Sequence, residues 1–316
     1  MRIAISPNLG AQMTNFDIER LRDEISRELL TLRSALLEEF EEAMRGKQAS
    51  HRKAGRILKL IVHAPRSTAE GDGFAASESI DVLVIVNHRE LADKDQHWRH
   101  ALARLRRDRE RGVLPREIRL DVHCLQDVNR ALVSGLPYLA SIVRRGIVLY
   151  ELDRTPLATP RNLPSDERCW RGRAEFERWY PRAEDFLSGA SFYRDEGNMR
   201  MAALLLHQAC EHLYQCVFWT VMLHGRRTHS LDELRGLAEG LDERLRSVWP
   251  RTSRFERRCF AQVRRAYVEA RYEPSFPITA REIGWMMERV AMLYRRVGNF
   301  CRGHLSGLQA SSVVSD

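Results

Sequence analysis

The segment HAPRSTAEGDGFAASESIDVLVIVN, residues 63–87, decides how the first half of the chain folds. Its last third, IDVLVIV (80–86), is an apolar run of strand length that is rich in β-branched residues. The run RILKLIVH (56–63) precedes it and has the same character, and the loop between the two runs contains glycine and serine. The two runs are therefore predicted to be neighbouring strands of one sheet.

Helices flank these two strands in the sequence. Residues 16–45 place apolar side chains at three- and four-residue steps, which predicts one long amphipathic helix. The segment DKDQHWRHALARLRRDRERG, residues 93–112, predicts a second helix that ends at Gly112, and residues 126–145 predict short helices. This alternation of helices and strands is typical of α/β and α+β layer structures.

Two further strands complete the first half of the chain. IRLDVHCL, residues 118–125, alternates between apolar and polar residues, so Asp121 and His123 are predicted to point to one face. GIVLYEL, residues 146–152, is the last predicted strand. We therefore expect residues 1–152 to form a domain with helices on a mixed sheet, and the whole chain to have an α+β fold.

The second half of the chain has no strand pattern. Residues 153–165, DRTPLATPRNLPS, contain three prolines and little apolar surface, so they form the predicted linker. Helical periodicity then covers residues 166–305, with Ser230 and Thr279 as predicted N-caps. The predicted helices are 166–196, 198–223, 230–247, 252–272 and 279–304. This half is expected to be an all-α antiparallel bundle, followed by a disordered tail at 306–316.

Composition restricts the class of protein. Hydrophobic residues make up 44% and charged residues 30% of the 316 residues, which is typical of a globular protein rather than a fibrous or disordered one. The six cysteines have no CxxC spacing, which argues against a zinc knuckle or a disulfide framework and predicts buried free thiols. With no signal peptide and no apolar run of about 18 residues, we expect a cytoplasmic protein that has no membrane partner.

The charge of the chain is strongly positive. A net charge of +8 would suit an acidic partner such as nucleic acid. Only four of the 51 basic residues are lysines, however, and a GC-rich genome can produce such an arginine bias without any functional demand. Solvated arginines on helix faces are therefore the alternative to a binding surface.

Two acids in the predicted strands are candidates for metal chemistry. Nucleotidyl transfer needs Mg²⁺ held by two or three carboxylates, because the metal orients the triphosphate and neutralises the charge that develops. Asp81 lies near the start of the second strand, and Asp121 lies on the third. The alternative is that Asp81 caps a loop or pairs with an arginine, and that His123 is a polar residue at the sheet edge rather than a ligand or a phosphate contact.

Both halves of the chain resemble known families. The strand with VLVIVN, the later DVNRAL after a strand, and GIVLYE are similar to a minimal nucleotidyltransferase domain of the DNA polymerase β superfamily. LLLHQACEHLYQC, THSLDELRGLAEGLD and RRAYVEARY resemble a HEPN domain. From about Ile57 to Cys301 the chain therefore resembles the bacterial proteins described as nucleotidyltransferase and HEPN domain-containing.

The resemblance implies a transferase motif from which this chain departs. A Gly-Ser pair is expected after the first strand, where the chain has Ala64 and Pro65, so a hydroxyl and one backbone donor are missing. At the second strand Ser-Asp-x-Asp is expected, and the chain has Ser79 in place of the first acid but keeps Asp81. A site that lacks one acid is expected to bind Mg²⁺ more weakly.

The resemblance also implies which residues bind the cofactors. Asp81 and Asp121 are the implied metal ligands and catalytic acids, with Ser79 beside them. The candidate nucleotide contacts in the loop are Ser67, Thr68 and Asp72. If the site is active, its cofactors are Mg²⁺ and ATP or another nucleoside triphosphate; otherwise none is expected.

For the helical half, the resemblance suggests a ribonuclease motif to look for. HEPN domains that cut RNA use an arginine and a histidine at the spacing R-x(4–6)-H near the start of a late helix, where the pair can activate a ribose 2′-OH. Roughly five such spacings are expected by chance at this arginine content. The chain has four, Arg45/His51, Arg56/His63, Arg116/His123 and Arg200/His207. The expected region, ARYEPSFPIT (270–279), offers Arg271 but has Ser275 and Phe276 where a histidine would stand.

A second polar group is predicted inside the bundle. His207 and Glu211 are four residues apart and share one face of a helix, so they can form an internal pair or part of a nucleotide or partner pocket. Together with Arg271 they make up the predicted polar face of the HEPN-like domain. As a metal site they fall short, because no third ligand is visible.

Three functions remain open at this stage. The first is a nucleotide-binding or regulatory protein whose transferase site is degenerate and whose helical domain forms a homodimer or contacts RNA or a partner protein. The second is an active Mg²⁺-dependent transferase that moves AMP to a protein or small-molecule hydroxyl. The third is a HEPN ribonuclease of the toxin–antitoxin type. The missing motif residues favour the first, and whether the protein is an enzyme stays undecided.

Overall fold

The computed structural model describes residues 23–46, 49, 53–63, 79–226 and 228–313. The chain divides into two compact units, residues 1–161 and 162–316. The first is a four-stranded sheet with helices, and the second is entirely helical in its described part, so the expected α+β fold class is confirmed. None of the described helices combines the length and the hydropathy that crossing a bilayer would require.

Four strands and five helices make up the described part of the first unit, with one short 3₁₀ segment at Arg89–Ala92. In chain order they are α1 (Asp23–Met44), β1 (Ile57–His63), β2 (Ser79–Val86), α2 (Lys94–His97), α3 (Arg99–Glu110), β3 (Glu117–Cys124), α4 (Leu125–Val133), α5 (Pro137–Arg145) and β4 (Ile147–Glu151). The predicted helix over residues 16–45 is described from Asp23 onward, and its first seven residues lie outside the described part of the chain.

The strands form one mixed sheet in the order β3-β2-β1-β4. β1 runs antiparallel to both β2 and β4, whereas β2 and β3 are parallel. The even-numbered residues of β2 are buried with the apolar faces of α1 and α3. The odd-numbered residues, Ser79, Asp81, Leu83 and Ile85, lie on the opposite face because side chains alternate along a strand. α4 contacts β2, and α5 contacts β1, so they cover this second face.

The helix predicted over residues 93–112 is in fact two helices, so that prediction was wrong in detail. α2 ends at His97, and α3 begins at Arg99, because Trp98 leaves helical geometry between them. The Trp98 indole is fully buried, and its N–H donates to the Leu91 carbonyl at 2.8 Å. A buried aromatic donor must find an acceptor, and the break in the helix allows this.

The second unit contains five helices and a short 3₁₀ segment, Glu243–Val248, within the described residues. The helices are α6 (Ser165–Asp195), α7 (Met199–Met222), α8 (Leu231–Leu241), α9 (Arg254–Tyr272) and α10 (Ala280–Val313). Only three residues join α6 to α7 and the two pack along each other, so they run antiparallel. Their shared core contains the buried thiols Cys210, Cys216, Cys259 and Cys301, and all six cysteines are free and buried as predicted.

The helix ends follow the predicted capping residues. The Ser230 hydroxyl accepts from the Glu233 backbone N–H, and the Thr279 hydroxyl accepts from the backbone N–H of Glu282. The Glu282 carboxylate in turn accepts from the Thr279 N–H at 2.8 Å, which completes a capping box.

The predicted disordered tail at 306–316 is corrected by the structure, because α10 continues to Val313. Leu305 is buried in the bundle and holds the chain at the start of this extension. Beyond it, the sequence SGLQASSV contains no proline to stop the helix.

Candidate functional site

A polar cluster lies on the second face of the sheet, where β1 ends and β2 begins. His63 is the register partner of Asp81 in β1, and Arg119 is its register partner in β3. Register partners on neighbouring strands lie about 5 Å apart and project their side chains to the same face. Asp81, which is only 4% exposed, therefore lies between an imidazole and a guanidinium.

Arg119 is the member of this cluster that the sequence analysis did not select. Its Nη2 donates to the Glu117 carboxylate at 2.8 Å, and its side chain is largely buried. Its Nε is also buried and has no hydrogen-bond acceptor among the described residues. A guanidinium stays charged in proteins. This guanidinium, which pairs with Glu117, therefore belongs to the residue that lies in register with Asp81, the carboxylate that the family resemblance makes a metal ligand.

Asp121 is held by two neighbouring protein groups. One carboxylate oxygen, Oδ1, lies 2.9 Å from His123 Nε2, and the other, Oδ2, accepts a hydrogen bond from the Tyr138 hydroxyl at 2.9 Å. The predicted common face of Asp121 and His123 is thus observed, and the two residues contact each other directly. Tyr138, near the start of α5, also packs edge-on against His63, with ring centroids 5.9 Å apart.

Ser79 and the loop residues complete the comparison with the predicted site. Ser79 is buried on the same face as Asp81, and its register partner in β3 is Glu117. Asp121 pairs with Leu83, two residues along from Asp81, so the Cα atoms of the two acids are about 8 Å apart. The remaining predicted site residues, Ala64, Pro65, Ser67, Thr68 and Asp72, lie outside the described residues.

The described residues of this cluster bring three carboxylates, Asp81, Asp121 and Glu117, near one guanidinium, that of Arg119. Mg²⁺ needs carboxylate oxygens that are free to coordinate it in octahedral geometry. Both Asp121 oxygens already have protein partners, and Arg119 opposes a second positive charge beside Asp81. The guanidinium of Arg119 and the imidazoles of His63 and His123 are the groups of this cluster that can donate to an anion.

A second polar cluster lies in the helical unit and is centred on Glu211. Glu211 Oε2 lies 3.7 Å from His207 Nε2, and Glu211 Oε1 lies 2.9 Å from His229 Nδ1. His207 is 1% exposed and its Nδ1 lies 3.0 Å from the Val263 carbonyl oxygen, whereas the His229 side chain is 60% exposed. The predicted His207 and Glu211 pair is therefore extended to the surface by a histidine that precedes α8.

Tyr267 of α9 connects this carboxylate cluster to Arg271. Its ring stacks on His229 with centroids 4.7 Å apart and on His207 with centroids 5.2 Å apart. The Arg271 guanidinium carbon lies 4.0 Å from the Tyr267 ring centroid, and Arg271 Nε donates to the Tyr267 carbonyl at 2.5 Å. All three residues of the predicted polar face thus belong to one cluster, which also contains Tyr267 and His229.

The surroundings of Glu211 keep it ionised. Burial by itself would raise the pKa of its carboxyl group, but the neighbouring imidazole of His207, 3.7 Å away, and the charge of His229 outweigh it, so the pKa is lowered. The ionised carboxylate orients the His229 ring through Nδ1, which leaves the other ring nitrogen, Nε2, as the one available to a substrate or ligand.

The arginine–histidine spacing did not identify this arrangement. Arg200, seven residues before His207, donates to the carbonyls of Ala270 and Glu273 at 2.6 Å each and so satisfies the C-terminal end of α9. Phe276, which occupies a position where a histidine was sought, is buried in the core. His229 lies just before α8 and Arg271 lies on α9, and both pack on Tyr267, so a motif defined along one segment cannot detect this cluster.

The architecture is that of a two-domain protein with an α+β unit followed by a helical bundle. Residues 176–300 match the family model of the HEPN domain. The second unit therefore contains a HEPN domain, as the sequence resemblance predicted.

A solved structure is similar to most of the chain. It is a nucleotidyltransferase-like protein from Exiguobacterium sibiricum, and the match has 16% sequence identity and covers 81% of this chain and 74% of that chain. Its TM-score is 0.26, which is too low to support an argument about fold or function. No curated protein matches the sequence significantly.

Proposed function

We propose that this protein binds a nucleotide through its phosphates at the sheet cluster, without a resident metal, and acts as a regulatory protein rather than as a transferase. The single observation that carries the proposal is the position of Arg119 beside Asp81. A fixed guanidinium can bind a phosphate in a bidentate manner, which is one of the two tasks that Mg²⁺ would otherwise perform.

The neighbouring groups support the same proposal. His63 and His123 can donate to phosphate oxygens, and the carboxylate of Asp121 holds the His123 ring in place. The second task of a metal, stabilising the charge that develops during transfer, would need a cation that is not paired with a carboxylate, whereas Arg119 is bound to Glu117. Binding without efficient transfer is the expected result.

The first experiment measures nucleotide affinity with and without metal. Isothermal titration of the full chain with ATP is expected to give the same affinity in EDTA and in Mg²⁺. Arg119→Gln should weaken binding by about tenfold or more, since one charge-assisted hydrogen bond contributes about 1.5 to 3 kcal/mol. Arg130→Gln is the matched control, because Arg130 is an exposed arginine of the same unit. Binding that requires Mg²⁺, or an equal loss in both variants, would contradict the proposal.

The second experiment tests for transfer directly. With labelled ATP and Mg²⁺ the wild type is expected to label nothing, and Ser79→Asp alone should stay silent because Arg119 remains. The double variant Ser79→Asp with Arg119→Gln restores the missing acid and removes the opposing cation, so any recovered transfer should appear there. Transfer by the wild type that Asp81→Ala abolishes would instead establish the alternative, an active Mg²⁺-dependent AMP transferase acting on a protein or small-molecule hydroxyl.

The homodimer through the HEPN domain belongs to the same proposal. Size-exclusion chromatography with light scattering should give twice the mass of the chain, and a monomer at micromolar concentration would contradict it.

A second candidate function, a HEPN ribonuclease of the toxin–antitoxin type, is favoured by one observation. His229 and Arg271 both pack on the Tyr267 ring, so an exposed imidazole and a guanidinium belong to one cluster despite the absence of the usual spacing. If the domain cleaves RNA, His229→Ala should abolish cleavage, whereas His100→Ala, which removes an exposed histidine of the first unit, should not. RNA that stays intact after incubation with the wild type would exclude the ribonuclease function.

A further inference from the structure

Most of the arginines on the surface of α3 bind no carboxylate. The helix and its C-cap contain Arg99, Arg104, Arg106, Arg107, Arg109 and Arg111. Arg104 alone is neutralised, by Glu38 at 2.8 Å and by Glu39 and Asp108 at 3.5 and 3.7 Å. The other five are exposed, and none of them has an ion pair within the described part of the chain.

The density of unpaired arginines on α3 differs from that on the other helices. On α9, Arg258 binds Glu282, Arg264 binds Asp232 and Arg265 lies 3.5 Å from Glu269. Exposed arginines without an ion pair among the described residues also occur elsewhere, such as Arg173 and Arg182 on α6, but they lie farther apart along the helix. Five within thirteen residues of one helix indicate a local demand for positive charge.

The unpaired arginines spread over both flanks of the exposed face. Ala101 and Leu105 are buried and define the inner side of α3. At about 100° per residue, Arg99 lies near the middle of the outer face, with Arg106 and Arg109 toward one flank and Arg107 and Arg111 toward the other. The row is about 18 Å long at 1.5 Å per residue. Glu110 is the single acid on this outer face.

We infer that α3 docks in the major groove of duplex DNA, with its two arginine flanks on the phosphates of the two strands. The major groove of B-form DNA, about 12 Å wide, admits an α-helix, whereas the major groove of A-form RNA is too narrow. His100 is the one aromatic ring exposed on α3, so the helix lacks the series of rings on which successive single-stranded bases would stack. It also exposes no large apolar residue that could insert into a membrane. The inference does not depend on the nucleotide site.

The test measures DNA affinity against salt with a charge-matched control. The full chain is titrated into a labelled duplex of about 20 base pairs at several salt concentrations. The helix variant combines Arg99→Gln, Arg106→Gln, Arg107→Gln and Arg109→Gln. The control variant combines Arg173→Gln, Arg182→Gln, Arg251→Gln and Arg295→Gln, which are exposed arginines of the second unit without an ion pair among the described residues. Both variants lose the same charge.

We expect a loss of DNA affinity in the α3 variant that the control variant does not show. The helix variant should bind the duplex at least tenfold more weakly at about 100 mM salt, and the slope of log affinity against log salt should become shallower by about 3 to 4. The control variant should keep the wild-type slope, and both should unfold at the wild-type urea concentration because the replaced side chains are exposed. Equal losses in the two variants, tighter binding of single-stranded DNA or of duplex RNA, or binding to anionic lipid vesicles without binding to DNA would overturn the inference.

Discussion

Replacing Gly172 by alanine tests a close contact between two helices of the second unit. Gly172 lies in α6 where this helix meets the C-terminal end of α7. A Cβ atom at this position would lie 2.6 Å from the Thr220 carbonyl oxygen and 3.1 Å from a methyl group of Leu305. The Leu305 side chain can rotate, but the Thr220 carbonyl belongs to the backbone of α7. The helices must therefore separate locally to admit one methyl group.

Two opposing terms set the size of the effect. Alanine in place of glycine favours a helix by about 1 kcal/mol. Overpacking a tight core contact typically costs about 1 to 3 kcal/mol, and a clash with backbone belongs at the upper end of that range. We expect Gly172→Ala to lower the free energy of unfolding of the second unit by about 2 kcal/mol in net.

Urea unfolding monitored by tryptophan fluorescence measures this change, because five of the six tryptophans lie in the second unit. The midpoint should fall by about 1 M if the slope is near 2 kcal/mol per M. Gly284→Ala in α10 is the matched control, since a Cβ there meets nothing within 4 Å and should raise stability by up to about 1 kcal/mol. If both variants are stabilised, the close approach of α6 to Thr220 is refuted.

Three further changes test other contacts. Removing Arg116, which binds the buried Glu28 at 2.5 Å, should destabilise the first unit by about 3 to 5 kcal/mol in thermal or urea unfolding, whereas replacing both residues by leucine should be nearly neutral. Ser253→Ala removes a capping box at the start of α9 and should cost about 1 kcal/mol, against no loss for Ser275→Ala at an exposed position outside the helices. The lowered pKa of Glu211 stabilises the fold above the pKa of an unfolded glutamate, and that stability is lost as pH falls through the folded value. The difference in stability between wild type and Glu211→Gln should therefore shrink in acid, and a difference that grows would contradict the contacts of Glu211.

Most of the fold follows from local periodicity. The strand predicted at 56–63 was observed as Ile57–His63, and the one at 80–86 as Ser79–Val86, because β-branched apolar runs of this length have few alternatives. The break at Trp98 was not predictable in the same way. It depends on a hydrogen bond to Leu91, seven residues away in sequence, which periodicity cannot reveal.

The candidate site was only partly predictable, for a related reason. Because side chains alternate between the two faces of a strand, the sequence of β3 was enough to predict that Asp121 and His123 lie on one face. The neighbours of Asp81 depend on how β1 and β3 align with β2, and a shift of one residue would have placed a different side chain beside it. In the same way, His229 reaches Glu211 from eighteen positions away, across the connection between α7 and α8.

The missing acid at Ser79 therefore explains less about the sheet cluster than the alignment of β3 does. A site that lost one carboxylate but kept neutral surroundings would still attract a divalent cation weakly through Asp81 and Asp121. Here Arg119, which also pairs with Glu117, places a guanidinium about one strand spacing from Asp81, and the Asp121 carboxylate is bound by His123 and Tyr138. Binding of a phosphate needs donors with positive charge, and Arg119 is the permanently charged donor among these residues. Because a guanidinium cannot lose its proton at physiological pH, this charge is fixed by the residue at position 119 and not by conditions.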